Sequence, residues 1–347
     1  MYIMSPKIAI VTRMLTVKGG AELSILELAK NFNCDIFTTN YNPDSTFKEF
    51  SKLNVYSSPL LWKRHVSLFL KFINFPFIKE LSGYDLIITS SGFYPKLIAL
   101  HRLPPIIHYE QSPTNFREGF ARFLSPLDIH VTKRIKKLVS LSQNIRRKLL
   151  LRYGRDSDVI YSPINVKKFR NKPPENFFLS VQRITPDKRV HIQIEAFKKL
   201  PQERLLIVAG SYDSEYFNKI KKSAPKNVEF RIGVERNEII ELYARCKATI
   251  QTSKDEPFGF VPVESMAAGK PCIAVNEGGF RETIEHMKTG LLINEPYVEN
   301  LINAIKKLNE YDFNVKVLRR RAEKFSLDRF IANFKKVFDE ILGNDHE

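Results

Sequence analysis

Short apolar runs alternate with longer amphipathic stretches along the whole chain, the pattern expected when parallel strands are joined by crossover helices. In the first half the strand-like runs are KIAIVTRM, CDIFTT, YDLIITSS, PIIHYEQ and KLVSLSQ. Between the first two, GGAELSILELAKNF has helical spacing behind a glycine pair. The charged stretch KKFRNK, followed by Pro173 and Pro174, reads as a linker, and a second series opens at Phe177. Its strands are FFLSVQR, RLLIVAG, VEFRIG, ATIQTS and PCIAVN, with helices in HIQIEAFKKL, EIIELYARC and VESMAAG. The last stretch, RRRAEKFSLDRFIANFKKVFDEIL, has helical periodicity and no partner strand. The predicted fold class is α/β: two Rossmann-like, doubly wound parallel-sheet domains facing each other across a cleft. Sheets of this kind bind ligands beyond the carboxyl ends of their strands, at helix N-termini.

Composition narrows the class. A chain of 347 residues with 43% hydrophobic and 27% charged residues has room for two folded cores. No window approaches the ~18 uninterrupted apolar residues of a membrane span. The segment MYIMSPKIAIVTRML lacks a basic start and a small-residue cleavage site, so it reads as the first strand rather than a signal peptide. Cys34, Cys246 and Cys272 are odd in number and far apart, which argues against a disulfide framework or a zinc site and suits a reducing cytoplasm. The histidines lack ligand-like spacing, so no metal is expected.

Charge is uneven. Residues 1–170 hold 26 Lys/Arg against 12 Asp/Glu, and 171–347 hold 29 against 26. The first half is therefore expected to face an anion: nucleic acid, an acidic membrane surface or a phosphorylated substrate. The plainer alternative is a soluble basic face.

The chemistry concentrates in DEPFGFVPVESMAAGKPCIAVNEGGFRETI, residues 255 to 284, where Glu256 and Glu264 stand eight positions apart. DEPFG leaves the carboxyl end of the strand ATIQTS, and Pro262 suits the first turn of a helix. That places the backbone N–H groups of Phe258, Gly259 and Phe260 at a helix start, where unpaired amides suit phosphate or sugar oxygens. Gly259 would let the backbone approach a ligand. The two carboxylates are spaced to reach opposite ends of one extended ligand, each a bidentate acceptor for vicinal hydroxyls.

This stretch resembles the E-x7-E signature of the family 4 retaining glycosyltransferases, whose fold is called GT-B. SVQRITPDKRVHIQIEAFKKL, GVERNEIIELYARCKATIQTS, YGRDSDVIYSPINVKKF and KGGAELSILELA resemble further segments of that family, in its order and over most of the chain. The resemblance implies an acceptor-binding domain over 1–168, a nucleotide-sugar domain over 169–325, and a helix over 326–347 that packs back onto the first domain. It implies a retaining, metal-independent hexosyltransferase without a bound cofactor. Arg183 and Lys188 would hold the donor diphosphate and offset leaving-group charge, although Arg189 competes with Lys188 for that role. Glu256 would contact hydroxyls of the transferred sugar, supported by Phe258, Gly259 and Phe260, and Glu264 would accept from the ribose. Gly19 and Gly20 would pass close to the diphosphate, with Gly210 and Val234 flanking the diphosphate and the base.

The segment YDLIITSSGFYPKLIALHRLPPIIHYEQSP resembles a mannosyltransferase-like branch of the family, which commonly reads Y-C-H-[ST]-P where this chain has YEQSP. Gln111 thus occupies the place of a sugar-side histidine, and it cannot carry a proton. It is expected to contact the sugar, with His108 either in the core or supporting the site from behind. The branch points to GDP-mannose as donor, with a UDP-sugar as alternative, and to a glycan acceptor on a polyprenyl phosphate. The proposed mechanism for such enzymes is front-face substitution. In residues 59–81, Trp62, Leu68, Phe69, Phe72, Ile73, Phe75 and Phe77 are interspersed with Lys63, Arg64, His65, Lys71 and Lys79. That mixture suits either an anionic membrane interface on the inner leaflet or an aromatic core. Rival classes are a sugar-nucleotide epimerase, a glycan phosphorylase and a basic nucleic-acid binder. Against the last, no helix-turn-helix, zinc-finger or RNP-type string is present.

Overall fold

The computed structural model describes residues 6–58, 65–114 and 123–343, the side chains of 65–68 excepted. Two compact units result, one of residues 1–163 with 328–347 and one of 164–327. The first unit holds strands β1 (Ile8–Thr12), β2 (Asp35–Thr38), β3 (Val55–Ser57), β4 (Leu86–Ser90), β5 (Ile106–Glu110), β6 (Lys137–Ser140) and β7 (Asp158–Val159). Its helices are α1 (Gly20–Phe32), α2 (His65–Ile73), α3 (Ile78–Leu81), α4 (Ser125–Lys133) and α5 (Gln143–Tyr153). The second unit carries β8 (Phe178–Val181), β9 (Leu205–Ala209), β10 (Val228–Ile232), β11 (Thr249–Gln251), β12 (Cys272–Val275) and β13 (Gly290–Ile293). Between and after these lie α6 (Val190–Lys198), α7 (Ser214–Ser223), α8 (Arg236–Arg245), α9 (Phe260–Ala267), α10 (Phe280–Thr283), α11 (Val298–Asn309) and α12 (Val315–Glu323), and the last helix is α13 (Leu327–Gly343).

Both sheets are parallel and doubly wound. Strand order is β3-β2-β1-β4-β5-β6-β7 in the first and β10-β9-β8-β11-β12-β13 in the second. The direction of winding reverses between β1 and β4 and between β8 and β11, and those switch points are where such sheets leave a crevice for ligands. Central strands such as Ile8–Thr12, Leu86–Ser90 and Leu205–Ala209 are buried at every position, as a sheet covered on both faces requires. The strands not legible in the sequence, β3, β7 and β13, are short sheet-edge strands. In β3 and β7 no residue is buried, so no apolar run marks them.

The passage predicted as a linker is bonded to the second unit instead. Lys172 N–H donates to Ala244 O (3.1 Å) and Glu175 N–H to Arg245 O (2.7 Å), at the end of α8. Ile164 N–H donates to Phe325 O (3.0 Å) and Leu327 N–H to Ile164 O (3.1 Å). These bonds draw the boundary back to residue 163/164 from the expected 168/169. The C-terminal periodicity covers two helices, broken at Lys324–Ser326, and from Asp328 onward α13 packs on the first unit. There Phe334 meets Tyr109 edge-on at 5.2 Å, Phe338 meets Phe32 at 4.7 Å, and Lys137 donates to Glu340 at 2.9 Å.

The aromatic stripe of residues 59–81 is largely core. Phe72 and Phe75 are buried and stacked at 5.2 Å, and Phe69, Ile73 and Phe77 pack against the same cluster. Leu70 is exposed. Trp62, Lys63, Arg64 and the side chains of His65 and Leu68 lie outside the described residues. No helix among the described residues is long and apolar enough to cross a membrane.

Candidate active site

At the switch point of the second sheet, the loops leaving β8 and β11 are stitched together. Thr252 Oγ1 donates to the carbonyls of Lys188 (2.8 Å) and Arg189 (3.1 Å), and Lys254 N–H donates to Asp187 O (2.8 Å). This brings Lys188 Nζ to 2.7 Å from Glu256 Oε2, with 12% and 22% of the two side chains exposed. Arg189, in a left-handed conformation, pairs instead with Glu277 at 2.7 Å. Of the two neighbouring cations, Lys188 therefore reaches Glu256 and Arg189 reaches Glu277. Arg183, just past β8, is exposed and forms no ion pair among the described residues. An exposed cation without an ion pair, on the same loop as a partly shielded one, is suited to an anion.

The Glu256 loop rests on a glycine pair. Gly279 N–H donates to Glu256 O at 2.7 Å, and a Cβ on Gly279 would lie 2.4 Å from Phe258 O. On Gly278 a Cβ would lie 2.4 Å from Glu256 O. Glu277 bonds Arg189 with one oxygen and accepts from Asp255 N–H (3.2 Å) with the other. Gly259 has φ +102°, and a Cβ there would meet Phe280 at 2.9 Å. Its lack of a side chain is therefore required by the backbone and by Phe280, a reason other than the predicted close approach of a ligand. Phe260 opens α9 and Phe258 is buried. Glu264, buried in α9, is ion-paired with Arg236 of α8. Gly210 directly follows β9, a Cβ there would meet nothing within 4 Å, and its neighbour Ser211 accepts from Ile184 N–H (3.0 Å) next to Arg183 in the chain. Val234 follows Gly233 in the loop between β10 and α8.

In the first unit, Gly19 and Gly20 begin α1 behind β1. A Cβ on Gly19 would lie 2.6 Å from Glu22 Oε2. That carboxyl is raised above its ordinary range by burial, opposed by the backbone amides of Glu22 and Gly19. The group nearest Gly19 is thus the chain's own carboxylate. Gln111, just past β5, is buried and reaches Ser90 Oγ at 3.5 Å, a weak bond. His108 is fully buried, with Nδ1 2.8 Å from Thr89 Oγ1 and Nε2 3.1 Å from Glu110 Oε2. A neutral ring protonated on Nε2 satisfies both. Burial lowers its pKa, against the pull of Glu110. Glu110 Oε1 accepts from Gly92 N–H (3.0 Å) and Ser112 N–H (3.2 Å), so one shielded carboxylate ties the loops after β4 and β5. Asp128, equally buried, lies 2.6 Å from Lys96 Nζ and 3.0 Å from Arg152 Nε.

Residues 162–325, nearly the whole second unit, match the family model described as "Glycosyl transferases group 1". The second unit is thus a glycosyl transferases group 1 domain, and the chain has the GT-B fold. It is similar to "Alpha-1,3/1,6-mannosyltransferase ALG2" of Dictyostelium discoideum, 27% identical over 93% of this chain and 96% of the relative. It is also similar to "O-antigen chain mannosyltransferase RfbU" of Salmonella typhimurium, 29% identical over 62% and 64% of the two chains. Among solved structures, a glycosyltransferase from Rickettsia africae superposes with TM-score 0.80 at 21% identity, covering 98% and 99%. Anabaena HepE in complex with UDP-glucose superposes with TM-score 0.81 at 19% identity, covering 96% and 99%. These structures share the fold.

In this glycosyltransferase, Thr252, Glu277, Gly278, Gly279 and Arg236 join the candidate site only through the fold. The glycine pair with its preceding glutamate was visible in NEGGF, within the stretch already singled out. Thr252 and Arg236 carried no signal, because their role lies in which loop they meet.

Proposed function

We propose that the enzyme transfers a hexose, with retention at the anomeric carbon, from a nucleotide sugar to a glycan acceptor on a lipid carrier. The observation that carries this is the Lys188–Glu256 pair at the second sheet's switch point, with Arg183 exposed on the loop that leaves β8. Arg183 and Lys188 hold the diphosphate, and their two charges offset the charge gained by the leaving group, so no metal is required. Glu256 accepts from hydroxyls of the sugar, Phe258, Gly259 and Phe260 support that loop, and Glu264 accepts from the ribose. Gly210 and Val234 flank the diphosphate and base. In the transfer, the bond from the anomeric carbon to the phosphate oxygen breaks and a bond to the acceptor oxygen forms on the same face. The acceptor's proton passes to the departing phosphate oxygen, so no ionisable side chain is needed at Gln111.

Mannose from GDP-mannose is the proposed donor, supported by similarity to named mannosyltransferases. The setting proposed is cytoplasmic, on the inner membrane face. It is supported by the basic excess of residues 1–170 and by the exposed Leu151 (81%) on α5 with the exposed Arg147. A thermal-shift screen against GDP, UDP, ADP and TDP sugars tests the donor, since a ligand that binds only the folded state raises the melting temperature. GDP-mannose is expected to give the largest rise, and a larger rise with a UDP-sugar would overturn that choice. Transfer is expected to survive EDTA.

A further inference from the structure

Arg236 opens α8 directly behind the Gly233–Val234 loop, and its Nη2 donates to Glu264 Oε1. The carboxylate side chain is only 6% exposed, while the arginine keeps 47%. The guanidinium also lies over the ring of Phe169, 5.7 Å from its centroid. That ring is itself fixed edge-on against Tyr243 at 5.8 Å. Phe169 belongs to the passage YSPINVKKF, which has no part in the site as described above. The ring and the carboxylate thus hold one planar cation between them, and the cation holds one carboxylate oxygen.

A shielded carboxylate deprived of its counter-ion is costly, and an ion pair at one oxygen limits the rotamers open to the side chain. We propose that Arg236 is a positioning residue of the ribose subsite. It anchors Glu264 by Oε1 and so holds the carboxylate to accept from ribose hydroxyls. This rests on the assignment of Glu264 to the ribose. The planar fork of arginine suits a group that must meet a carboxylate and a ring face together, which a lysine ammonium does less well.

The test compares binding of GDP and UDP with their 2′,3′-dideoxy forms, by titration calorimetry on the full chain. Wild type is expected to bind the ribo form of its preferred nucleotide at least about tenfold more tightly than the dideoxy form. Arg236→Gln is expected to bring the two forms to near parity by weakening the ribo form alone, and Arg236→Lys to fall between. In turnover, the donor KM rises while kcat holds. A wild type that does not distinguish the two forms, or binds neither, overturns the assignment of Glu264 and the proposal with it. A discriminating wild type whose Arg236→Gln variant discriminates equally overturns the proposal alone. Should Arg236→Gln not fold, Arg236→Lys decides, and undiminished discrimination there overturns the proposal.

Discussion

Lys188 Nζ and Glu256 Oε2 lie 2.7 Å apart, joining the loops that follow β8 and β11. On the proposed assignment the pair stores a cation for the diphosphate and a carboxylate for the sugar, each balancing the other until a donor separates them. Glu256→Ala and Lys188→Ala should each lower kcat/KM by roughly a hundredfold to a thousandfold. Melting temperatures should change little, because partly solvated pairs stabilise weakly. Near wild-type turnover in both variants would sink the site assignment.

Arg183 is exposed on the loop that leaves β8 and has no ion pair of its own among the described residues. Arg183→Ala is expected to raise the donor KM by about tenfold, the scale of a charge-assisted contact. The affinity of the variant for nucleoside diphosphate should fall less steeply with salt than that of wild type. Unchanged salt dependence, read by titration at low and high ionic strength, would remove Arg183 from the site.

Gly279 has no room for a side chain, since a Cβ would press on Phe258 O and Cα at 2.4 and 2.5 Å. Gly279→Ala should destabilise the protein by about 1–3 kcal/mol, as overpacking against backbone does, and should lower turnover by displacing the Glu256 loop. Gly210 serves as the contrast, because a Cβ there would meet nothing within 4 Å and its φ is not positive. Gly210→Ala should leave the melting temperature almost unmoved.

His108 is buried with its pKa lowered, chiefly by burial, while Glu110 pulls the other way and Lys96 and Asp128 act from nearby. The unfolded chain therefore binds the proton more readily than the folded one. The stability contribution is complete above the ordinary histidine value of 6.5 and is lost as pH falls from there toward the folded value. Denaturant midpoints should decline below about pH 6.5, and His108→Gln should flatten that decline. An equally steep decline in the variant would assign it to other groups.

The two-domain α/β class and the central strands were legible because strands covered on both faces must be apolar throughout, as in Leu205–Ala209. Glu256 and Glu264 were legible because a strand end, a glycine and a helix start follow one another in the chain. What the tertiary structure alone decided is pairing: that Lys188 rather than Arg189 reaches Glu256, that Glu277 takes Arg189, and that Arg236 meets Glu264. Those partners stand 68, 88 and 28 positions apart in the chain. Local spacing carries no information about them, because they meet only once parallel strands are ordered side by side in the sheet. The same holds for Pro173 and Pro174, which read as a linker from composition, whereas the flanking Lys172 and Glu175 are bonded to the end of α8. The sequence by itself determined which groups could carry charge and hydrogen bonds at strand ends; the side-by-side order of the strands in the second sheet determined which of them face one another.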